Sequence, residues 1–238
     1  MKVVAVIPCF DEESCIADVV LLMNEVVGIS IVADDSSNDD TAEVAEKAGA
    51  YVVRRFGKRG FGVNTKAGID EALIRECDVV VTLDGDGQHN PKEIAAVLEP
   101  IERGEADVVV GSRFLGESST IPRYRRFGIK VITWLYNIGH RQKLSDAQCC
   151  FRAYRQEVLR VMSIEEAGFT FSVETLIKAR HLGYRMREVP ITVLYHKQFS
   201  QNSTMNPIKQ GVEVAWGTVR VRLKVELLGK IRRLLRKE

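Results

Sequence analysis

The stretch VVVTLDGDGQ at residues 79–88 decides how the rest of this chain is interpreted. Its first half is a run of apolar and β-branched residues, which is the composition of a short buried strand. In an extended chain, alternate side chains point the same way, so Asp84, Asp86 and Gln88 can present three oxygen atoms to one point. Oxygen ligands suit Mg²⁺ or Mn²⁺, and Mg²⁺ typically shares its shell with substrate phosphates and water. The pattern predicts a metal site for a phosphate-bearing substrate.

A surface turn is the alternative interpretation of the same residues. Asp and Gly are common in turns, because Gly adopts positive φ freely and Asp hydrogen-bonds to nearby backbone. The motif alone leaves both interpretations open, and its surroundings have to distinguish them.

Short apolar runs alternate with helical patterns over the first half of the chain. We predict strands at 3–7, 30–33, 50–54, 79–83 and 108–111, and helices at about 13–27, 40–48, 62–76 and 91–103. This alternation predicts an α/β fold with a mostly parallel central sheet flanked by helices. In such a sheet the ligand crevice lies outside the carboxyl ends of the strands. Acidic residues follow the first, second and fourth strands at Asp11-Glu12, Asp34-Asp35 and Asp84 with Asp86.

The composition is that of an ordinary globular domain. The 238 residues are 45% hydrophobic and 28% charged with a net charge of +2, so nothing indicates nucleic acid as a partner. The five cysteines show no CxxC pair or zinc spacing, and their odd number argues against a disulfide framework. No stretch has the roughly 18 uninterrupted apolar residues that would span a bilayer. We therefore expect a cytoplasmic protein that is soluble or peripheral to a membrane.

Two other nucleotide-binding patterns fit the sequence less well. A dinucleotide fold needs GxGxxG in its first strand-to-helix turn, but that turn reads PCFDEE here, and its acidic side chains would repel a pyrophosphate. The loop GKRGFG at 57–62 lacks the GK[ST] ending of a P-loop. Its glycines and cations are compatible with a diphosphate near a helix N-terminus, and equally with a flexible basic turn.

Six blocks of the sequence occur in a fixed order. They are VAVIPCFDEE (4–13), VADDSSNDDT (32–41), GFGVNTKAGI (60–69), VVVTLDGDGQHNP (79–91), ADVVVGSR (106–113) and SDAQCCFRAYRQEVL (145–159). Together they resemble glycosyltransferase family 2, and within it the branch of dolichyl-phosphate mannose synthases and other polyprenyl-phosphate glycosyltransferases. The resemblance implies a GT-A fold over residues 1–205, with a nucleotide-sugar half at about 1–112 and an acceptor half at about 113–205.

The resemblance also implies roles for individual residues. The nucleotide-binding residues are Pro8, Phe10, Glu12, Asp34, Asp35, Lys66 and Asp84. The ligands of a Mg²⁺ or Mn²⁺ ion are Asp84, Asp86 and Gln88. The residues for the acceptor phosphate are Arg113, Arg152 and Arg126, or the neighbours of the last, Arg123 and Arg125. The catalytic residues are Asp86, Arg113 and Asp146.

The chain departs from the family pattern at three places. Asp11 replaces the usual asparagine, Ser36 replaces the glycine of DDGS, and Cys149-Cys150 replace Ser-Gly. The first change is isosteric and adds a charge. The last bears on how the acceptor is contacted.

The resemblance implies a metal-dependent, inverting glycosyltransferase that moves a hexose from GDP-mannose or a UDP-sugar to dolichyl or polyprenyl phosphate, at the cytosolic membrane face. A phosphate acceptor is already anionic near neutral pH, so it needs arginine forks rather than a strong base. One alternative is a family 2 enzyme acting on a soluble or glycan hydroxyl, for which Asp146 is the candidate base. The other is a sugar-phosphate nucleotidyltransferase, whose glycine-rich, arginine-containing loop is absent after the first strand.

The last segment, residues 206–238, has the pattern of a basic amphipathic helix. Its apolar residues recur every three or four positions at Val212, Trp216, Val219, Leu223, Leu227, Ile231 and Leu234. Cations outnumber acids from Arg220 onward. The pattern predicts a helix that binds an anionic membrane surface, or one that packs on its own domain or on a dimer partner.

Overall fold

The computed structural model describes residues 1–57, 59–116, 121–193 and 207–235. Its strands are β1 (Val3–Cys9), β2 (Ser30–Asp34), β3 (Tyr51–Arg54), β4 (Val79–Thr82), β5 (Val108–Ser112), β6 (Arg152–Arg155) and β7 (Met186–Pro190). Its α-helices are α1 (Ile16–Val27), α2 (Thr41–Lys47), α3 (Phe61–Ile74), α4 (Ile94–Glu102), α5 (Arg123–Asn137), α6 (Gln156–Val161), α7 (Phe171–His181) and α8 (Pro207–Leu235). A short 3-10 helix, Pro91–Glu93, precedes α4.

The seven strands form one sheet in the order β3-β2-β1-β4-β6-β5-β7. β6 runs antiparallel to β4 and β5, while the other neighbouring strands are parallel. The prediction of a mostly parallel sheet flanked by helices is confirmed, and all five predicted strands are present. The predicted set lacks β6 and β7, which lie on either side of β5 in the sheet.

The two central strands create the crevice in which the site lies. Every residue of β1 and β4 is buried, and strands covered on both faces are typically continuous apolar runs, as these are. β4 pairs with β1 only as far as Thr82 opposite Val6, whereas β1 continues beside β2 to Cys9. The two strands therefore separate just before Asp84, so the sheet opens at its carboxyl edge.

The C-terminal helix α8 packs on its own domain, against α5 and α7. It buries Val214, Val221 and Val225, which recur at helical spacing along one face. Gly217 lets this face approach α7 closely, because a Cβ there would lie 2.4 Å from Oγ1 of Thr170. No helix within the described ranges is both long enough and apolar enough to cross a bilayer.

The apolar stripe noted in the sequence is not the face that packs. Val212, Trp216 and Leu223 are exposed. The side chains of Leu227, Ile231 and Leu234 lie outside the described part of the chain. α8 carries two apolar stripes on opposite sides, and the helical period alone does not indicate which of them meets the domain.

Cations of α8 also hold it to the domain. Arg220 pairs with Glu166 at 2.6 Å, and Lys224 pairs with Glu165. Arg222 donates to two backbone carbonyl groups at the end of α5. These three cations of α8 therefore form intrachain contacts, and their charge does not by itself indicate membrane binding.

Candidate active site

The DGDGQ motif forms a turn at the end of β4. The chain turns at Gly85 and Asp86, and Gly87 has a left-handed φ of 69°. The backbone N–H of Gln88 donates to Oδ1 of Asp86 at 3.0 Å. The extended backbone expected from the sequence for Asp84, Asp86 and Gln88 is therefore wrong. These residues form a turn, as the alternative interpretation predicts. The turn nevertheless places Asp84 within electrostatic reach of Asp86.

Buried thiols pack against this turn. A Cβ at Gly85 would lie 2.3 Å from Sγ of Cys9, so only glycine fits there. Cys15 donates from Sγ to the carbonyl oxygen of Gly85 at 3.3 Å. All five cysteines are free, which agrees with the absence of a disulfide framework expected from the sequence.

Three carboxylates gather at this end of the sheet. Burial, and then the charge of Asp86, raise the pKa of Asp84 to about 7 and that of Glu12 to about 7. Burial also raises the pKa of Asp86. Such shifts mean that the protein compensates these negative charges only in part, which is the electrostatic condition a divalent cation relieves.

The ligand set for such an ion is sparse. Among the described residues there is no group of three or more His, Cys, Asp or Glu side chains arranged to hold a metal. Asp84 and Asp86 supply two carboxylates, and Gln88 can add only an amide oxygen. This donor set fits Mg²⁺ or Mn²⁺ that takes its remaining ligands from a diphosphate and water.

The last residue of β2 and the first residue of the loop after it are buried carboxylates beside the same crevice. Asp35 accepts hydrogen bonds from Arg55 at 3.0 Å and from the backbone N–H of Gly60 at 2.7 Å. Asp34 accepts from the backbone N–H of Ser37 at 3.3 Å. Asp35 thereby connects the glycine-rich loop at 57–62 to the end of β2. This loop, which the sequence leaves open as a diphosphate site or a basic turn, therefore lies at the crevice.

An arginine of that loop covers an aromatic ring at the end of β1. The guanidinium of Arg59 lies 4.1 Å from the centroid of the Phe10 ring and donates to the carbonyl oxygen of Ser36 at 2.7 Å. Pro8 lines a narrow cavity together with Asp84. The sequence motifs do not indicate a role for Arg59, and the basic composition of its loop is the only signal.

Two of the departures from the family pattern occupy left-handed backbone positions. Asp11 has a φ of 55° and accepts from the backbone N–H of Asn38 at 2.6 Å. Ser36 has a φ of 60°, where the family's glycine carries no steric cost. Asp11 keeps the local role that asparagine can fill, because both residues tolerate this conformation and accept hydrogen bonds.

Arg113 follows β5 and makes a two-point ion pair with Asp146. Its Nε donates to Oδ2 at 2.6 Å and its Nη2 to Oδ1 at 2.8 Å. Asp146 is fully buried and also accepts from the backbone N–H groups of Gln148 and Cys149. Burial alone would raise the pKa of Asp146, but Arg113 outweighs it and holds the pKa below its ordinary value. A carboxylate engaged in this way is a weak proton acceptor.

Two guanidinium groups lie within electrostatic reach of the carboxylates of the metal motif. Against the larger effect of burial, the charge of Arg113 lowers the pKa of Asp84, and that of Arg125 lowers the pKa of Asp86. Arg125 is half-buried, whereas Arg126, the first choice from the sequence, is exposed. The structure therefore brings Arg125, rather than Arg126, to the crevice.

Arg152 does not join them at the crevice. Its side chain is only 1% exposed, and its donors meet the carbonyl oxygens of Cys149 at 2.6 Å, Ser172 at 2.5 Å and Ala147 at 3.0 Å. It borders the narrow cavity that Asp84 also lines. These contacts fasten β6 to α7, so its geometry is that of a structural residue rather than of a phosphate ligand.

Lys66 also lies apart from the gathered residues. It forms an ion pair with Asp70, one turn further along α3. It lines a different cavity, together with Leu159 and Met162 of the neighbouring segment. The structure therefore gives no contact between Lys66 and the crevice carboxylates.

His89, next to the metal motif, is a buried residue without an expected role in the sequence. Its ring packs against Phe151 with 5.6 Å between centroids, and its Nε2 lies 3.9 Å from Sγ of Cys149. Burial lowers its pKa to about 3, so the ring is neutral. It joins the turn after β4 to the segment that carries Asp146. Its place inside the matched block 79–91 was the only signal.

Comparisons with known proteins identify the family of the chain. The model of the family "Glycosyl transferase family 2" matches residues 4–162. The chain is 30% identical over 247 residues to the undecaprenyl-phosphate mannosyltransferase of Micrococcus luteus, covering 94% of this chain and 99% of that protein. It is 29% identical over 221 residues to the dolichyl-phosphate hexose transferase of Haloferax volcanii, covering 92% of each.

A solved structure shares the fold. Glucosyl-3-phosphoglycerate synthase from Mycobacterium tuberculosis, crystallised with Mn²⁺, UDP and phosphoglyceric acid, matches with a TM-score of 0.73 at 19% identity, covering 94% of this chain and 78% of that one. This likeness concerns the fold alone, and it confirms the expected GT-A architecture. The family match spans more than half of the chain, and on that ground the protein belongs to glycosyl transferase family 2.

Proposed function

We propose that the protein transfers a hexose from a nucleotide sugar to dolichyl or polyprenyl phosphate, with a divalent metal ion, at the cytosolic face of a membrane. The observation that carries this proposal is that Arg113 and Arg125 lie within electrostatic reach of Asp84 and Asp86. The carboxylates that would hold a metal-bound diphosphate therefore lie close to the arginines that would bind an anionic acceptor.

In this proposal the donor nucleoside lies beside the loops that follow β1 and β2, at the border of the crevice. The ring of Phe10 and the guanidinium of Arg59 offer planar surfaces to a base, and Asp34 and Asp35 offer carboxylate oxygens to its N–H groups. A few such contacts decide between bases. GDP-mannose and UDP-sugars therefore both remain donors to be tested.

Asp84, Asp86 and Gln88 would hold the Mg²⁺ or Mn²⁺ ion. When bound, such an ion neutralises the charge that develops on a departing nucleoside diphosphate. The raised pKa values of Asp84 and Glu12 support this assignment, because uncompensated carboxylates are what the ion would pair with.

Arg113 and Arg125 would position the acceptor phosphate. A phosphate oxygen is already an anionic nucleophile near neutral pH, so its attack on the anomeric carbon, opposite the leaving diphosphate, requires orientation rather than proton removal. Asp146 would fix the orientation of the Arg113 fork. A hydroxyl acceptor would need a free base, and Asp146 has both oxygens engaged, which favours the phosphate.

The relatives support the same acceptor class. Their names assign undecaprenyl phosphate to the Micrococcus luteus protein and dolichyl phosphate to the Haloferax volcanii protein, and both similarities extend over at least 92% of this chain. Their sugars differ in name, mannose in one and an unspecified hexose in the other. This agrees with leaving the donor sugar of this chain open.

A thermal-shift panel tests the donor and metal parts of the proposal. A nucleotide that binds the folded protein raises its melting temperature. GDP and UDP sugars should be compared with and without Mn²⁺, using the wild type and Asp86→Ala. We expect one nucleotide class to stabilise the wild type only when Mn²⁺ is present, and Asp86→Ala to lose that response. Equal stabilisation in excess EDTA would exclude the metal-bound diphosphate.

A further inference from the structure

The chain contains two tryptophans, and both are on the surface. Trp134 of α5 is 63% exposed and Trp216 of α8 is 69% exposed. Tryptophan contributes a large apolar area when it is buried, so its exposure at both positions leaves that area unused in the isolated fold. α5 and α8 pack against each other, so the two residues belong to adjacent helices.

Each tryptophan is part of an exposed apolar stripe. On α5 the stripe consists of Tyr124, Phe127 and Trp134, and Ile138, the residue after the helix, continues it. On α8 it consists of Ile208, Val212, Trp216 and Leu223. The spacings are multiples of one helical turn, so each set shares one side of its helix, opposite the buried residues of that helix.

The two stripes meet at the C-terminal end of α5. Arg222 of α8 donates to the carbonyl oxygen of Ile138 at 2.7 Å, so the turn of α8 that carries Leu223 contacts the end of α5. α5 also borders the site, because Nζ of its Lys130 lies 6.0 Å from the ring centroid of Phe114, the residue that follows Arg113. One apolar face therefore extends from the rim of the site along α5 to α8.

The charges around this face indicate what covers it. α5 contains four cations and no acidic residue, and three of those cations, Arg123, Arg126 and Lys130, are exposed. Two copies of the face would oppose like charges, which disfavours self-association. An anionic lipid surface complements them, and tryptophan prefers the boundary between head groups and acyl chains.

We propose that the outer face of α5 and α8 docks on an anionic lipid surface, with both tryptophans at the lipid boundary. The docking orients the rim at Arg125 toward the membrane, so that a lipid-linked phosphate reaches the crevice. This deepens the proposed function and rests on it for its purpose. The sequence pattern assigns membrane binding to the cations of the C-terminal helix. In the proposed docking the outward apolar stripes make the contact, whereas Arg220, Arg222 and Lys224 bind the domain itself.

Intrinsic fluorescence tests the docking directly, because the two tryptophans are the only ones in the chain. Trp134→Phe and Trp216→Phe each keep the face apolar and leave one reporter. Vesicles of phosphatidylglycerol and phosphatidylcholine, without polyprenyl phosphate, should shift the emission of both variants to shorter wavelength. Vesicles of phosphatidylcholine alone should do so more weakly, and high salt should reduce the difference.

Exposed apolar positions supply matched variants. Phe127→Ser and Val212→Ser should each weaken binding to anionic vesicles about tenfold, whereas Leu21→Ser, an exposed position on α1, should not. All three should keep wild-type activity on a short-chain polyprenyl phosphate without vesicles. Docking in an enzyme that uses no acceptor would refute the proposed function and leave this inference standing.

Other outcomes overturn the inference itself. One is the absence of an emission shift in both single-tryptophan variants. Another is equal weakening of vesicle binding in Leu21→Ser and Phe127→Ser. A third is a dimer by light scattering whose emission is already shifted without vesicles, which would make the face an interface between copies of this chain.

Discussion

The guanidinium of Arg113 is held at two points by the fully buried carboxylate of Asp146, with distances of 2.6 and 2.8 Å. A planar guanidinium that is held at two points has a fixed orientation. The same arginine lies within electrostatic reach of Asp84 in the metal motif. The pair thus connects the segments after β5 and before β6 to the place proposed for the donor diphosphate.

A double-mutant cycle separates a positioning role of Asp146 from a catalytic base. Arg113→Ala should lower kcat about 100-fold, as loss of one donor to a transition-state charge typically does. Asp146→Asn should lower kcat in the wild-type background and change nothing further in the Arg113→Ala background, because it acts through that arginine. Steady-state kinetics, with circular dichroism to confirm folding, measures both. A further loss in the double variant would give Asp146 an independent function.

Adjacent arginines provide a matched comparison at the start of α5. Arg125→Ala should reduce kcat/KM for the lipid phosphate about tenfold or more, because Arg125 is half-buried and lies within electrostatic reach of Asp86. Arg126→Ala should have a smaller effect, because Arg126 is exposed. Both variants remove one charge, so net charge does not explain a difference between them. If Arg126→Ala were the more damaging, the acceptor phosphate would have to be placed on the outer side of α5.

The stability of the metal-free protein should fall as pH rises toward neutrality. The pKa of Asp84 is about 7 in the folded protein and about 3.8 ordinarily, so between these values the folded state binds more protons than the unfolded state. The free energy of unfolding therefore decreases with rising pH in this window. Asp84→Asn removes this titration. In EDTA, its melting temperature relative to wild type should increase from about pH 5 to about pH 8.

The exposed Asp18→Asn is the control for that experiment, and its difference from wild type should not follow the same course. Mn²⁺ with the bound nucleotide should stabilise wild type more than Asp84→Asn. If the difference in melting temperature between Asp84→Asn and wild type were independent of pH, the pKa of Asp84 would not be raised in the folded protein.

Two glycines of α8 test whether this helix packs on the domain. Gly217→Ala should destabilise the protein by about 1–3 kcal/mol, because its Cβ would lie 2.4 Å from Oγ1 of Thr170. Gly211→Ala should be neutral or stabilising by up to about 1 kcal/mol, because nothing lies within 4 Å and alanine favours a helix. Thermal unfolding measures both variants. Equal effects would argue against a close contact between α8 and α7.

Much of the nucleotide half could be predicted from the sequence, because buried parallel strands are nearly continuous apolar runs. β1 and β4 are of this kind, and the acidic residues after β1, β2 and β4 lie at one edge of the sheet. β6 reads RAYR and was not predictable in this way. Its first residue, Arg152, is buried because its guanidinium donates to the backbone carbonyl oxygens of Ser172 and Ala147. Tertiary contacts of this kind have no local sequence pattern.

The finer assignments in the acceptor half depended on geometry that the sequence does not contain. Arg125 and Arg126 differ by about 100° around a helix, so one faces the crevice and the other faces solvent only once the phase of α5 is known. The two stripes of α8 present the same difficulty. Asp146 was expected as a possible base, and its engagement with Arg113 is visible only in three dimensions.

Transfer of labelled sugar into lipid is the measurement that tests the central claim most directly. The protein should be incubated with Mn²⁺, a short-chain polyprenyl phosphate and each of labelled GDP-mannose, UDP-glucose and UDP-N-acetylglucosamine. We predict that one donor transfers its label to an organic-extractable product that mild acid hydrolyses, with release of the nucleoside diphosphate, and that Asp86→Ala forms none. Label found only in water-soluble products would identify a hydroxyl acceptor. Release of pyrophosphate would identify a nucleotidyltransferase, and either result would contradict the assignment of polyprenyl phosphate as the acceptor.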